Sequence, residues 1–91
     1  MSLCAYSIKI HGLVQGVFFR KSTREKAMEL GITGFVRNCS DGTVEIFAEG
    51  EKEIIDRFIV WCRTGPENAR VDKIDIHERP LKNSQGFIIT R

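Results

Sequence analysis

Apolar positions along the chain recur with two different periods. In residues 6–11, Tyr6, Ile8 and Ile10 alternate with Ser7, Lys9 and His11. A period of two predicts a strand buried on one face. Residues 12–20, GLVQGVFFR, break the alternation and predict a loop punctuated by Gly12 and Gly16. Residues 21–30 are good helix formers, with Gly31 as the C-terminal stop. Helical spacing puts Phe19, Thr23, Ala27 and Leu30 on one face.

Residues 33–39 predict a second strand. Ser40-Asp41-Gly42 is a turn signal, so a tight hairpin leads into a third strand over 43–49. Val44, Ile46 and Ala48 form its buried face, with Thr43, Glu45 and Phe47 opposite. Gly50-Glu51-Lys52-Glu53 opens a second helix, whose early acids suit the positive end of the helix dipole. Ile54, Ile55, Phe58, Ile59 and Cys62 make its apolar stripe, and Gly65-Pro66 ends it. A fourth strand over 71–78 turns Ile74 and Ile76 inward. A loop over 80–85 leads to a short strand over 87–90.

The order is β-α-β-β-α-β plus a C-terminal strand. It predicts an α+β, ferredoxin-like split β-α-β sandwich, a mostly antiparallel sheet with two helices on one face. At 91 residues the chain reads as one domain, 1–91. No linker, internal repeat or low-complexity segment interrupts it.

Composition narrows the function classes. No apolar run approaches the ~20 residues of a membrane-spanning helix. No basic segment followed by an apolar stretch opens the chain, so a cytoplasmic location is expected. Fourteen Lys and Arg face twelve Asp and Glu, a net charge of +2. These charges are scattered, without the dense basic stripe of a nucleic-acid binder. A local positive pocket for a small anion fits the balance. Cys4, Cys39 and Cys62 are odd in number and lack C-x-x-C spacing, so three reduced thiols are expected.

The chemistry concentrates in GLVQGVFFR. A loop running into a helix presents N–H groups with no intrahelical partner, at the end where the dipole favours an anion. Gly12 and Gly16 permit backbone angles that let such groups converge into a nest. Arg20 adds a planar fork able to grip two phosphate oxygens. The loop's apolar residues would anchor it to the core. The competing reading is a common glycine loop with a solvated arginine. No G-K-[ST] follows, so it is not a Walker loop. Asn38 sits at a strand position that asparagine disfavours. Either it merely precedes the hairpin, or its amide orients a water.

Gly12, Val14, Gln15, Gly16, Val17, Phe19 and Arg20 match the acylphosphatase signature G-x-V-Q-G-V-x-[FY]-R. Gly34, Phe35, Val36, Arg37, Asn38, Gly42, Val44 and Gly50 match its second signature. Gly65-Pro66, Ala69 and Val71 resemble its usual join to the fourth strand. The sequence thus resembles the acylphosphatase family over essentially its whole length. The family often ends in tyrosine, where this chain has Arg91.

The resemblance implies hydrolysis of acyl phosphates to carboxylate and inorganic phosphate, with no metal, cofactor or covalent intermediate. It implies that Arg20 and the backbone N–H groups of Gln15, Gly16, Val17, Phe18 and Phe19 hold the phosphoryl group, and that Asn38 positions the attacking water. The implied partner is a small-molecule acyl phosphate, without nucleic acid or membrane, and a monomer is the default at this size. The motif leaves the acyl side unmarked. His11 and His77 are the candidate imidazole bases, and both are expected to be solvated surface residues. One rival reading is a non-catalytic anion-binding module. The other is RNA binding on the sheet face, which Phe47 could serve, although the K/R-G-F-G-F-V-x-F run is absent.

Overall fold

The computed structural model describes residues 2–90. Its elements are β1 (Leu3–Leu13), α1 (Phe19–Leu30), β2 (Thr33–Asn38), β3 (Val44–Glu51), α2 (Lys52–Thr64), β4 (Arg70–Arg79) and β5 (Phe87–Ile89). The sheet order is β4-β1-β3-β2-β5. β1 pairs antiparallel with β3 and β4, β3 antiparallel with β2, and β5 runs parallel to β2. This is the expected ferredoxin-like α+β arrangement, with one strand added at the β2 edge.

The two helices pack on the face that the period-two pattern marked as apolar. Ile8, Ile10, Val36, Val44, Ile46 and Ala48 rise from the sheet to meet Phe19, Ala27, Ile55, Phe58 and Cys62. Burying a side chain the size of Phe58 contributes about 1.5–3 kcal/mol. Thr23 and Ala27 are buried on α1, as their helical spacing with Phe19 requires. Gly31 closes α1: its N–H donates to the Met28 carbonyl, and the Ile32 N–H donates to Ala27. That pattern satisfies carbonyls the helix end would otherwise orphan.

Several boundaries differ from the sequence reading. β1 runs past residues 6–11 at both ends, because β3 and β4 both supply pairing partners for its flanks. Gly50 and Glu51 belong to β3, where they pair with Cys4 and Leu3, and α2 starts after them. α1 begins at Phe19, so Arg20 lies in its first turn. Arg91 lies outside the described residues.

The opposite sheet face is not simply open. Phe47 points away from the helices, as its parity demands, yet is 3% exposed. Phe35 stacks on it at 5.8 Å between ring centroids, and the Lys82 ammonium sits 4.9 Å above its ring. Lys82 belongs to the stretch between β4 and β5. Glu49 straps that stretch down, accepting the main-chain N–H groups of Lys82, Asn83 and Ser84 at 2.8, 3.1 and 2.8 Å. A covered Phe47 is no platform for a nucleotide base, which removes the feature on which the RNA reading leaned.

Candidate active site

The β1–α1 connection is built from an anchored frame and an unusual backbone. Val14 and Phe19 are buried at its two ends. The Phe19 ring packs 5.8 Å from that of Trp61 on α2. Between them, Gly16 and Phe18 both have left-handed backbone angles, with φ of 76° and 63°. For phenylalanine that conformation costs roughly 1–2 kcal/mol. Phe18 is also 74% exposed. The expectation that the loop's apolar residues anchor it therefore holds for Val14 and Phe19 and fails for Phe18.

Phe18 occupies the N-cap of α1 without any side-chain cap, and the first turn holds no acid. The first helical bond runs from the Ser22 N–H to the Phe18 carbonyl at 3.0 Å. The N–H groups before Ser22 lack intrahelical acceptors by helix geometry. They lie beside the bent backbone at Gly16, at the uncapped start of α1. Gly12 plays a different part from the one its place in the motif suggested. It lies within β1, at a shift of register against β4, with φ of 132°. A Cβ there would collide with the Arg70 carbonyl. Gly12 permits strand approach, and Gly16 bends the connection before α1.

A cleft of about 340 Å³ opens at this point, lined by Val14, Gly16, Phe18, Phe19, Arg20, Lys21, Asn38 and Ile89. The fold thus brings Gly16, Phe18, Phe19, Arg20 and Asn38 to one cavity. Gln15 and Val17 are absent from its lining. Among the described residues Arg20 forms no ion pair, whereas Arg37, one residue before Asn38, is held by Glu45 at 2.6 Å. The lining contains two cations and no carboxylate. Asn38 closes β2 opposite Val44. Its Oδ1 is buried and has no hydrogen-bond partner among the described residues. Such an oxygen costs about 1–3 kcal/mol until a donor reaches it. Rotation of the amide exchanges oxygen for NH2, so the group can accept from a water or donate to it.

One contact was not legible in the motif. The Gln15 side chain turns away from the cleft and spans the β2–β3 hairpin. Its Nε2 donates to the Cys39 carbonyl at 2.8 Å and to the Thr43 carbonyl at 2.9 Å. The turn it clasps is closed by the Cys39 N–H on the Thr43 carbonyl and by Asp41, which accepts from the Thr43 N–H and hydroxyl. Gln15 therefore ties the β1–α1 connection to the segment immediately after Asn38. The only sequence signal was an amide flanked by apolar residues.

The histidines stand apart from the cleft. His77 is exposed. His11 corrects its expectation: it is not merely solvated, since its Nε2 lies 2.9 Å from Asp75 Oδ2 on the neighbouring strand. That hydrogen bond holds the Asp75 carboxyl below its ordinary value. The cysteines are free, with Cys62 fully buried and Cys4 and Cys39 partly so. Burial pushes the Cys62 thiol well above its ordinary value. No group of three or more His, Cys, Asp and Glu gathers among the described residues, and no helix of theirs is long and apolar enough to cross a membrane.

Comparisons with known proteins bear on the family and the fold. The acylphosphatase family model matches residues 6–89. An acylphosphatase of Acidovorax sp. (strain JS42) is 48% identical over 80 residues, covering 88% of this chain and 82% of that one. One of Roseiflexus sp. (strain RS-1) is 42% identical over 90 residues, covering 98% and 97%. The structure of an acylphosphatase from Coxiella burnetii superposes with a TM-score of 0.93 at 38% identity, covering 97% of this chain and 93% of that one.

Proposed function

The chain belongs to the acylphosphatase family and hydrolyses acyl phosphates, and we propose that residues 15–20 and Asn38 carry out that reaction within a single domain. Arg20 grips two phosphoryl oxygens with its guanidinium fork, and the backbone N–H groups between Gln15 and Phe19 hold the remaining charge. Asn38 holds a water against phosphorus. The observation that carries this reading is the shared cleft: an arginine without an ion-pair partner and an amide whose buried oxygen lacks a donor, among the described residues, line the same cavity.

The chemistry suits so sparse a site. Water attacks phosphorus, the bond from phosphorus to the acyl oxygen breaks, and the carboxylate leaves with the electron pair. The water proton passes to a phosphoryl oxygen, giving inorganic phosphate. A carboxylate is a good leaving group and needs no strong acid. Positioning and charge stabilisation then carry the rate. Neither His11 nor His77 lines the cleft, which fits proton transfer to the substrate itself. The protein acts as a monomer in the cytoplasm, without metal, cofactor or nucleic acid.

The test is hydrolysis of acetyl phosphate in EDTA by the wild type, Arg20→Gln, Arg20→Lys and Asn38→Ala. Losing a charge-stabilising donor costs about 3 kcal/mol, on the order of a hundredfold in rate. Arg20→Gln and Arg20→Lys should both lose that or more, and inorganic phosphate should inhibit them poorly, because a point charge cannot copy the fork. Asn38→Ala should lose kcat while keeping phosphate affinity. Abolition of wild-type activity by EDTA, or an active Arg20→Lys, contradicts the reading.

A further inference from the structure

No hydrogen bond among the described residues fixes the oxygen of the Asn38 amide, since Oδ1 is buried and unpartnered. Where the amide points therefore depends on the path of the chain through Asn38 and the turn that follows. Asn38 ends β2 opposite Val44, and residues 39–43 join them. The Cys39 N–H closes the turn on the Thr43 carbonyl at 2.9 Å, and the Gly42 N–H donates to the Cys39 carbonyl at 3.2 Å. Asp41 braces it with both carboxylate oxygens. Oδ1 accepts from the Thr43 N–H at 3.1 Å and from the Thr43 hydroxyl at 2.6 Å. Oδ2 accepts from the Lys9 ammonium at 3.0 Å. Lys9 lies on β1, which β3 separates from β2. In register it stands between Glu45 of β3 and Asp75 of β4. Both of those carboxylates are engaged elsewhere, Glu45 by Arg37 at 2.6 Å and Asp75 by His11 at 2.9 Å. Lys9 reaches past β3 to the turn.

Resting on the reading that Asn38 holds the attacking water, we propose that Lys9 and Asp41 are positioning residues for that water: they lock the turn that aims the Asn38 amide into the cleft. Asp41 serves turn and strand at once, one oxygen to each, so a displacement of Lys9 passes directly to Thr43. β1 is also the strand that runs on into residues 15–20, from which Gln15 holds the carbonyls of Cys39 and Thr43. One strand and its continuation thus grip the turn at two points, and the proposed phosphate contacts and Asn38 share a single reference. The Thr43 hydroxyl first, and then the Lys9 ammonium, hold the Asp41 carboxyl well below the ordinary carboxylate range, so the pair stays charged near neutrality. The Lys9 and Asp41 side chains are 42% and 51% exposed, and a pair so exposed adds little to stability. What it fixes is geometry, on which the rate depends steeply.

The experiment reads kcat for acetyl phosphate, the inhibition constant of inorganic phosphate and the melting temperature in two double-mutant cycles. Asp41→Ala should lower kcat about tenfold. Asp41→Asn keeps an oxygen for Thr43 and loses the charge that Lys9 meets. It and Lys9→Met should each lower kcat several-fold, and Lys9→Arg should keep most of it. Phosphate inhibition and melting temperature should barely change in Lys9→Met. Lys9→Met added to Asp41→Asn should lower kcat no further, because the interaction is already gone. Neither variant should lower kcat further when added to Asn38→Ala. Losses that multiply in either cycle overturn the proposal, as does wild-type kcat in Lys9→Met. Phosphate inhibition that weakens in step with kcat also overturns it, since the pair would then act on the phosphate contacts. Wild-type kcat in Asn38→Ala overturns the reading of Asn38 and the positioning role with it. A loss in Asn38→Ala that the Asp41 variants do not share overturns the positioning role alone.

Discussion

Arg20 and Gln15 share one short loop and stand in opposite relations to their surroundings. Arg20 has no ion-pair partner among the described residues and lines the cleft. Gln15 uses both amide protons on main-chain carbonyls of the hairpin, away from the cleft. Removing Arg20 therefore strips charge from the site, whereas removing the Gln15 side chain loosens the joint between two halves of it. Gln15→Ala should lower kcat for acetyl phosphate about tenfold or more, because small misplacement of a reacting group is costly. Phosphate inhibition should weaken much less. Gln15→Glu should be worse, since a carboxylate would face two carbonyl oxygens without a proton to offer. Equal losses in kcat and phosphate affinity would show that the clasp shapes the nest rather than holding Asn38. The sequence put Gly16 and Arg20 in the connection before α1 and Asn38 at the end of β2, and the fold brings all three to one cleft. The Gln15 contact was not readable there, because it joins residues that only the folded sheet brings together.

At the scale of elements, the two glycines of the β1–α1 connection separate stability from activity. Gly12 lies where β1 and β4 approach too closely for a Cβ, and Gly16 has open space around its α-carbon. Gly12→Ala must push the strands apart and should cost about 1–3 kcal/mol of stability. Gly16→Ala meets only backbone strain, roughly 1 kcal/mol. Its larger effect should fall on phosphate affinity, because it sits in the nest. Thermal unfolding and phosphate inhibition of both variants test the division: Gly16→Ala melting lower than Gly12→Ala would contradict it. The period-two and helical patterns located β1, β3, β4 and both helices, because those periods report directly which face is buried. They could not place strand ends. β1 gains residues at both flanks only because β3 and β4 are there to pair with them.

At the scale of the whole molecule, the sheet carries a helical layer on one face and a strapped loop on part of the other. Parity correctly turned Phe47 away from the helices. What covers it was invisible, since a polar loop from residue 80 onward gives no periodic signal of where it lies. The strap is a titratable one. Burial pushes the Glu49 carboxyl up, but the Ser84 side chain and the main-chain N–H groups outweigh it and leave the group below its ordinary value. A depressed carboxyl stabilises the fold above its unfolded value of about 4.3. That contribution is lost as pH falls through the lower folded value. The amides of Lys82, Asn83 and Ser84 should therefore lose hydrogen-exchange protection as pH falls below the ordinary carboxylate range, after correction for intrinsic rates. Glu49→Gln should remove most of that pH dependence. Unchanged protection from pH 7 to pH 3 in the wild type would show that the carboxylate does not hold the loop.

The Gln15 clasp has a bearing on how this protein can vary. Both of its acceptors are carbonyls of the main chain, which every amino acid carries. The clasp registers the path of the hairpin and is indifferent to the side chains along it. Cys39 and Ser40 can therefore drift in identity while Asn38 stays aligned with the β1–α1 connection, provided the turn keeps its shape. The same freedom makes the hairpin tip a place to attach a reporter group without disturbing the alignment behind it.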